Sequence, residues 1–169
     1  MHLQIFATGG TLDKVYHDAL SDYRIGDPVA PGILEEGRVD FRYDVESLLK
    51  KDSLELTDDD RALIRARVAA CPHRHIVITH GTDTMTETAA ALAGIADRII
   101  VLTGAMQPAR FRNSDAAFNL GLAVGAAQSL PAGIYIAMSG RIFEAGSVRK
   151  NRAAGRFETL ADDRHPETP

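Results

Sequence analysis

Residues 76–84 read IVITHGTDT, a short apolar run that passes directly into hydroxyl residues and a glycine. The same transition recurs at residues 5–11, 99–105 and 134–140. Nearly continuous apolar runs are typical of parallel strands that are buried on both faces. In open α/β sheets, ligands bind outside the carboxyl ends of the strands. The four transitions therefore predict a parallel sheet with hydroxyl groups along one edge, and that edge is the candidate active site.

Helical patterns alternate with these strands along the chain. We predict strands at residues 3–7, 75–79, 99–102 and 133–138, and helices at about residues 57–71, 84–94 and 114–130. Thr57 is expected to cap the first of these helices, with three aspartates in its first turn. Strand–helix alternation indicates βαβ units with right-handed crossovers. The expected fold class is α/β, with a doubly wound, mostly parallel sheet of the Rossmann-like or flavodoxin-like three-layer type in a single domain.

Three further segments have weaker patterns. Apolar residues alternate with polar ones from Val39 to Val45, which predicts a strand with one buried face. From Asp13 to about Pro31 there is no apolar period, and a loop of that length is typically a lid, a binding loop or disordered. Residues 161–169 are polar and expected to fray, so we predict a domain at 1–160 with a C-terminal tail.

Composition argues against several classes of protein. The 169 residues have a net charge of −4 and a hydrophobic content of 45%, typical of one soluble domain. No cluster of lysine and arginine points to nucleic acid or to an anionic membrane. No apolar run approaches the length of a membrane span, and the single cysteine, Cys71, fits a reducing compartment. We therefore expect a cytoplasmic protein.

One histidine-rich segment invites a metal hypothesis. Cys71, His73 and His75 alternate before a strand, and His80 follows that strand. Alternate residues share a face only where the chain is extended, and no carboxylate cluster completes a ligand shell. Surface histidines at a strand entry explain the pattern, so we expect no metal and no other cofactor.

The polar strand exits supply candidate catalytic groups. Residues 8–11, Thr-Gly-Gly-Thr, place glycines where a ligand can approach the main chain closely, although a tight turn is the simpler interpretation. Their spacing matches neither the dinucleotide fingerprint nor the P-loop. A helix is expected to begin near Thr82 and Asp83, where free N–H groups suit a carboxylate or a developing oxyanion. The alternative is that these residues only cap the helix.

These two segments, in this order, resemble the bacterial-type L-asparaginases. The similarity extends to motifs at residues 52–57, 103–108, 114–120 and 148–151, and it spans residues 3–152. The resemblance implies that residues 1–160 are the family's N-terminal-type catalytic domain. It also implies an amidohydrolase that converts L-asparagine to L-aspartate and ammonia through a covalent acyl-enzyme.

Matching the motifs assigns roles to individual residues. The resemblance implies that Thr11 is the nucleophile and that Tyr23 reaches in from the predicted loop to activate it. It also implies that Thr82, Asp83 and Lys150 form a second group of hydroxyl, acid and lysine. From sequence alone, which of the two threonines attacks stays open, and Thr11 is our assignment.

The resemblance also implies how the substrate is held. Ser53 and Asp83 are expected to bind the α-carboxylate and α-ammonium groups, with Gly10, Gly81 and Thr82 beside them. A small zwitterion needs one acid and several donors arranged asymmetrically, and an acid beside helix-start N–H groups provides both.

Two features depart from the family pattern. Members normally carry a second, smaller domain, through which a neighbouring subunit contributes an acid near the substrate amine, and this chain stops before it. We expect a natural short form that assembles as a homo-oligomer, a dimer or a tetramer. Leu54 stands where many members carry a polar substrate contact, which removes one hydrogen bond, worth about 1 kcal/mol. We therefore expect weak affinity and a preference for asparagine over glutamine.

Other functions stay in competition. The same chemistry on glutamine, or on an amide within a larger molecule such as a misacylated tRNA, would use the same site, although the acidic charge disfavours tRNA. A non-catalytic module that binds asparagine or aspartate would keep the pocket without turnover. Thr11, Thr82 and Lys150 together favour catalysis, because a sensor needs no hydroxyl–lysine pair.

Overall fold

A computed structural model describes residues 1–17 and 21–160, and within them the chain is built on one central sheet. The strands of this sheet are β1 His2–Gly9, β4 Arg42–Lys51, β5 His75–Thr79, β6 Ile99–Thr103, β7 Gly133–Met138 and β8 Arg141–Glu144. Their order is β4-β1-β5-β6-β7-β8. All neighbouring pairs are parallel except β7 and β8, which are antiparallel. The predicted mostly parallel sheet is confirmed.

Helices cover both faces of the sheet. They are α1 Ala30–Glu36, α2 Asp58–Ala70, α3 Met85–Ala91 and α4 Ala116–Ser129. Alternate residues of each strand point to opposite faces. On one face, Phe6 and Ile78 join a core cluster with Ile64 of α2 and Met85 of α3. Their strand neighbours Ile5 and Val77 point to the other face and pack in a second cluster with α1 and α4. The three-layer, doubly wound fold is therefore confirmed.

The strand order reverses beside β1. From β1 the chain goes to β4 on one side, then crosses to β5 and continues outward through β6 and β7. In doubly wound sheets, ligands bind in the crevice where the strand order reverses. Residues 8–11 follow β1 and residues 80–84 follow β5, so the fold brings the two predicted threonine segments to this crevice.

The segment from Asp13 to Pro31 is structured, and the prediction of a loop there was wrong. Strands β2 Lys14–His17 and β3 Asp22–Ile25 form an antiparallel hairpin, and α1 begins at Ala30. Most hairpin residues are exposed, so no apolar alternation marks them. Pro31 fits the first turn of α1, because a missing N–H costs nothing there. Residues 18–20 lie outside the described residues.

Other element boundaries also differ from the predictions. The strand expected at 39–45 is β4, at Arg42–Lys51, and α3 is shorter than the helix expected at 84–94. Strands β8, β9 Val148–Asn151 and β10 Arg156–Thr159 were not predicted, because their sequences are mostly polar. The predicted tail at 161–169 lies outside the described residues.

Candidate active site

Two glycine backbones meet where the strand order reverses. Gly10 follows β1 with φ +81°, and a Cβ built on it would overlap the backbone N and Cα of Gly81, which follows β5. Positive φ and close backbone approach are both tolerated best by glycine. Thr11 and Thr82 come directly after these two glycines, so the contact brings the two candidate catalytic threonine segments together.

Ser53 lies on the other side of Gly81. A Cβ built on Gly81 would lie 2.6 Å from the Ser53 Oγ, and Ser53 is only 1% exposed. The Thr84 hydroxyl donates to the Ser53 carbonyl at 2.7 Å, which ties residues 53–55 to the start of α3. The Ser53 Oγ itself has no hydrogen-bond partner among the described residues. Buried hydroxyls are normally paired, so this one is available to a bound molecule.

The hairpin of β9 and β10 carries Lys150 into the crevice. Lys150 is paired with Phe157, and directly opposed residues of an antiparallel pair lie on the same face. Phe157 and Val148 are both buried in the core cluster beside α2 and α3. Their burial turns this face of the hairpin inward and directs the Lys150 side chain to Thr82.

Lys150, Thr82 and Asp83 form one hydrogen-bonded group. The Lys150 ammonium donates to the Thr82 Oγ1 at 2.7 Å and to the Asp83 Oδ1 at 2.7 Å. The Lys150 side chain is 12% exposed and that of Asp83 is 33% exposed, so the group lies at the edge of solvent. Arg152 adds a second cation, with its Nε 3.7 Å from the Asp83 Oδ1. The hydroxyl, acid and lysine expected from the resemblance are therefore in contact.

Thr11 begins a short 3₁₀ turn that ends at Asp13. The Asp13 amide donates to the Gly10 carbonyl at 3.2 Å, and the Leu12 carbonyl accepts from the Ala109 amide at 3.2 Å. Thr11 is half-buried, and its hydroxyl makes no hydrogen bond within residues 1–17 and 21–160. The turn thus holds the Thr11 backbone from both sides and leaves its side chain free to contact a substrate.

The loop after β6 is held by residues to which the sequence reasoning assigned no role. The Asp115 carboxylate accepts from the backbone amides of Met106 and Gln107 at 2.9–3.1 Å. Asn119 donates to the Gly104 carbonyl at 3.0 Å and to Asp115 at 2.8 Å. These residues lie within the family motifs at 103–108 and 114–120, and those motifs could have identified them. They form a scaffold that supports the Thr11 turn through Ala109.

Comparison with known proteins assigns the family. The family model described as Asparaginase, N-terminal, matches residues 2–167. The chain belongs to the asparaginase family. The L-asparaginase of Thermococcus kodakarensis is 33% identical over 167 residues, which cover 92% of this chain and 49% of that protein. The solved structure of the thermostable L-asparaginase from that organism has a TM-score of 0.81 at 29% identity, covering 95% of this chain and 51% of that one.

Two further relatives match shorter regions of this asparaginase-family chain. A glutaminase-asparaginase from Acinetobacter glutaminasificans is 37% identical over 62% of the chain and 32% of its own length. A component of the glutamyl-tRNA(Gln) amidotransferase from Methanococcus vannielii is 48% identical over 40% of the chain and 16% of its own length. The chain spans about half the length of the L-asparaginases that it matches.

Tyr23 lies on β3 and is 43% exposed. Its ring centroid is 5.3 Å from that of Tyr16 and 6.0 Å from that of Phe111, in the loop after β6. Among the described residues, Tyr23 and Thr11 share no hydrogen bond. The link between them is indirect, through the loop that carries Phe111 and Ala109. A polar cavity of about 480 Å³ lies beside Tyr23, between the hairpin and the end of β4.

His80, one of the histidines considered for a metal, belongs to the core of the asparaginase fold. Its Nδ1 lies 2.7 Å from the Gly81 carbonyl and its Nε2 lies 2.8 Å from the Thr88 hydroxyl. Complete burial lowers the pKa of the His80 imidazole to about 4, so the ring is neutral at pH 7. A neutral ring that donates to the Gly81 carbonyl fixes the peptide that precedes Thr82.

The residues considered for a metal do not converge. His75 is hydrogen-bonded to the Ala127 carbonyl, and Cys71 is buried at the end of α2. Within the described part of the chain, one group of three potential ligands lies close together, namely His2, Asp44 and His73. It is at the amino edge of the sheet, opposite the candidate active site. None of the described helices is long and apolar enough to cross a membrane.

Proposed function

We propose that this protein is an L-asparagine amidohydrolase that forms a covalent intermediate on Thr11. The observation that carries the proposal is the group of Lys150, Thr82 and Asp83, joined by two hydrogen bonds of 2.7 Å. It lies directly beside the contact of Gly10 and Gly81, which also brings in Thr11. Membership in the asparaginase family supports the reaction.

The first half of the reaction forms an ester. The Thr11 Oγ attacks the side-chain amide carbon of asparagine, the C–N bond breaks, and ammonia leaves with a proton. A threonine hydroxyl is a weak nucleophile until a neighbouring group accepts its proton. We assign this activation to the Tyr23 hydroxyl, which takes the Thr11 proton as it gives its own proton to solvent water; the Tyr23 ring contacts the loop that supports the Thr11 turn.

Lys150 and Thr82 supply the proton for the leaving nitrogen. Lys150 donates to the Thr82 oxygen, which leaves the hydroxyl proton of Thr82 directed away from Lys150. Thr82 can therefore give its proton to the departing nitrogen while it takes one from Lys150. Lys150 regains a proton from solvent water. A second water then attacks the ester carbon and passes a proton through Tyr23 to the Thr11 oxygen, so that the ester C–O bond breaks, aspartate is released and the Thr11 hydroxyl is restored.

Ser53 and Asp83 are the proposed contacts for the backbone groups of the substrate. The Ser53 hydroxyl is buried without a partner among the described residues, so a substrate carboxylate can accept its proton. Asp83 provides the negative charge for the α-ammonium group. Gly10 and Gly81 let the two segments meet, and we propose that the amides that follow them donate to a developing oxyanion.

Substitution of the three catalytic groups tests the proposal. Thr11→Ala, Thr82→Val and Lys150→Met should each reduce ammonia release from asparagine at least 100-fold. Thr86→Val is the matched control, because Thr86 is the second residue of α3 and carries no proposed role in the reaction. A near-normal rate in any of the first three variants would withdraw the role of that residue.

Glutamine is the second candidate substrate, since one relative is named a glutaminase-asparaginase. We expect asparagine to be preferred, because Leu54 is 64% exposed beside Ser53 and offers a longer substrate no hydrogen bond. Ammonia release from both amides measures the preference, and equal catalytic efficiencies would refute it. Saturable binding of asparagine in calorimetry, with no ammonia produced, would instead establish a binding module.

The wider context of the protein is also proposed. We infer that residues 1–160 act as the catalytic domain, that asparagine is the small-molecule partner, and that the protein works as a homo-oligomer in the cytoplasm. Cys71 is buried and unpaired, as expected in a reducing compartment. Light scattering of the purified protein measures the oligomeric state.

A further inference from the structure

We propose that Asp13 is a positioning residue that holds the flap against the turn bearing Thr11. The flap is defined here as β2, β3 and residues 26–29. This inference rests on the proposed function, because the flap carries Tyr23, the group assigned to activate Thr11.

Asp13 accepts two hydrogen bonds from residues 26–29, the part of the flap that follows β3. Its side-chain Oδ1 accepts from the Val29 amide at 3.0 Å, and its backbone carbonyl accepts from the Gly26 amide at 2.8 Å. The outgoing end of the flap begins at the next residue, Lys14, through the peptide bond. Asp13 therefore closes the base of the flap, two residues after the proposed nucleophile.

The other contacts of the flap include the Tyr23 ring on Phe111, Val29 on the apolar cluster that contains Leu12, and two ion pairs. The two-stranded sheet of β2 and β3 forms no strand pairing with the central sheet. A hairpin of two strands is marginally stable in water without packing against another element. Two ion pairs, Lys14–Asp52 at 2.9 Å and Lys50–Asp27 at 2.6 Å, join the flap to β4 and the residue after it. Such solvent-accessible pairs contribute little to stability.

The Asp13 carboxylate is an unusual choice for a purely structural contact. The residue is 1% exposed, and its hydrogen bonds within the described residues are made to backbone groups of the flap and of Gly10. The charge that acts on it is Lys50, at the end of β4. Burying a carboxylate costs more than burying an apolar side chain of equal size. We infer that this cost is retained because the carboxylate locates Val29, and with it the end of β3 that follows Tyr23.

The side chain can be tested separately from the backbone bond. Asp13→Leu keeps the number of side-chain heavy atoms and the branch at Cγ but removes the acceptor for the Val29 amide, whereas Asp13→Asn keeps an acceptor in the same place. We expect Asp13→Leu to lower kcat for asparagine 10- to 100-fold, because small displacements of catalytic groups have effects of that size. Asp13→Asn should stay within about threefold of the unsubstituted protein, so that a suitable acceptor restores the rate.

A double-mutant cycle with Tyr23→Phe tests whether Asp13 affects kcat through Tyr23. If Asp13 acts by placing Tyr23, Asp13→Leu should reduce kcat little further once the Tyr23 hydroxyl is gone. Additive losses would overturn the proposal, since Asp13 would then act independently of Tyr23. Equal activities of the Asp13→Leu and Asp13→Asn proteins would also overturn it.

Hydrogen exchange provides a readout that does not depend on catalysis. In Asp13→Leu, peptides covering residues 21–29 should exchange at least tenfold faster, whereas peptides of β5 and β6 should be unchanged. Unchanged exchange in the flap would overturn the inference even if activity falls. Should the unsubstituted protein release no ammonia, the proposed function fails on that observation, and the exchange measurement still decides whether Asp13 holds the flap.

Discussion

Gly10 and Gly81 illustrate how single residues determine the candidate site. Each is a glycine because its backbone contacts another backbone or a buried side chain, and Gly10 also has positive φ. The same pair brings Thr11 and Thr82 to one crevice. The proposed catalytic arrangement therefore depends on two positions that have no side chain.

Substitution of Gly10 tests this dependence. Gly10→Ala should abolish activity and destabilise the protein, because the added Cβ overlaps the Gly81 backbone and φ is +81°. Gly32→Ala is the control, since Gly32 is exposed in α1 and nothing lies within 4 Å of its Cβ position. It should raise the free energy of unfolding by about 0.5–1 kcal/mol. Urea unfolding and ammonia release measure both effects, and an active Gly10→Ala protein would contradict the proposed contact.

At the scale of secondary-structure elements, the start of α2 is the feature that the sequence predicted best. Thr57 was expected to cap the helix, and its Oγ1 accepts from the Asp60 amide at 3.2 Å. The Asp60 carboxylate accepts in return from the Thr57 amide at 2.9 Å. Lys51, at the end of β4, donates to the same carboxylate at 2.8 Å, so this capping box also links the helix to the strand that precedes Ser53.

Loss of this cap should weaken α2 without altering the site. Thr57→Ala should lower the free energy of unfolding by about 1 kcal/mol, because the Asp60 amide loses its acceptor. Thr57→Ser keeps the hydroxyl and should cost only a few tenths of a kcal/mol. Urea denaturation of the two variants gives the comparison. Equal midpoints would show that the hydroxyl does not contribute to helix stability.

The hairpin of β9 and β10 places Lys150 beside residues that are far from it in sequence. The hairpin of β9 and β10 is polar along most of its length, and Val148 and Phe157 are the residues that anchor it in the apolar core. The alternation of the strand then places Lys150 on the inward face. The family resemblance predicted its role, whereas the hairpin itself was not predicted.

At the scale of the whole molecule, two buried groups set opposing dependences of stability on pH. Burial raises the pKa of the Asp13 carboxyl to about 6, although the Val29 amide and Lys50 both act to lower it. The folded state then holds more protons than the unfolded state, so Asp13 reduces stability as pH rises from 4 to 6. His80, with its pKa lowered to about 4, has the opposite effect, because its unfolded form takes up a proton below pH 6.5.

Substitution of Asp13 should reveal the pH dependence of stability that His80 contributes. Each shift corresponds to about 3 kcal/mol, so the two contributions nearly cancel between pH 4 and 6. In Asp13→Asn, of these two groups only His80 still contributes, and stability should rise by about 2 kcal/mol more than in the unsubstituted protein over that range. Urea unfolding at pH 4.5 and 7 measures the difference, with Asp40→Asn, an exposed residue, as control. A parallel change in all three proteins would contradict the burial of the Asp13 charge.

The amino-acid sequence by itself determined the buried strands β1, β5, β6 and β7, the main helices and the types of residue at the strand exits. Apolar runs must be removed from water, and hydroxyl residues with glycine cannot continue such a run, so both features are local consequences of composition. The sequence also predicted Thr57 as a cap, because a cap depends on its own helix.

The tertiary structure alone decided which distant groups meet. Lys150 and Thr82 are 68 positions apart, and their hydrogen bond depends on the placement of a hairpin that has no apolar pattern of its own. The burial of Asp13 beneath Val29 and the clustering of His2 with His73 likewise follow from the packing of whole elements. Contacts of this kind have no local signature, because a side chain's pattern along the chain says nothing about which surface will face it.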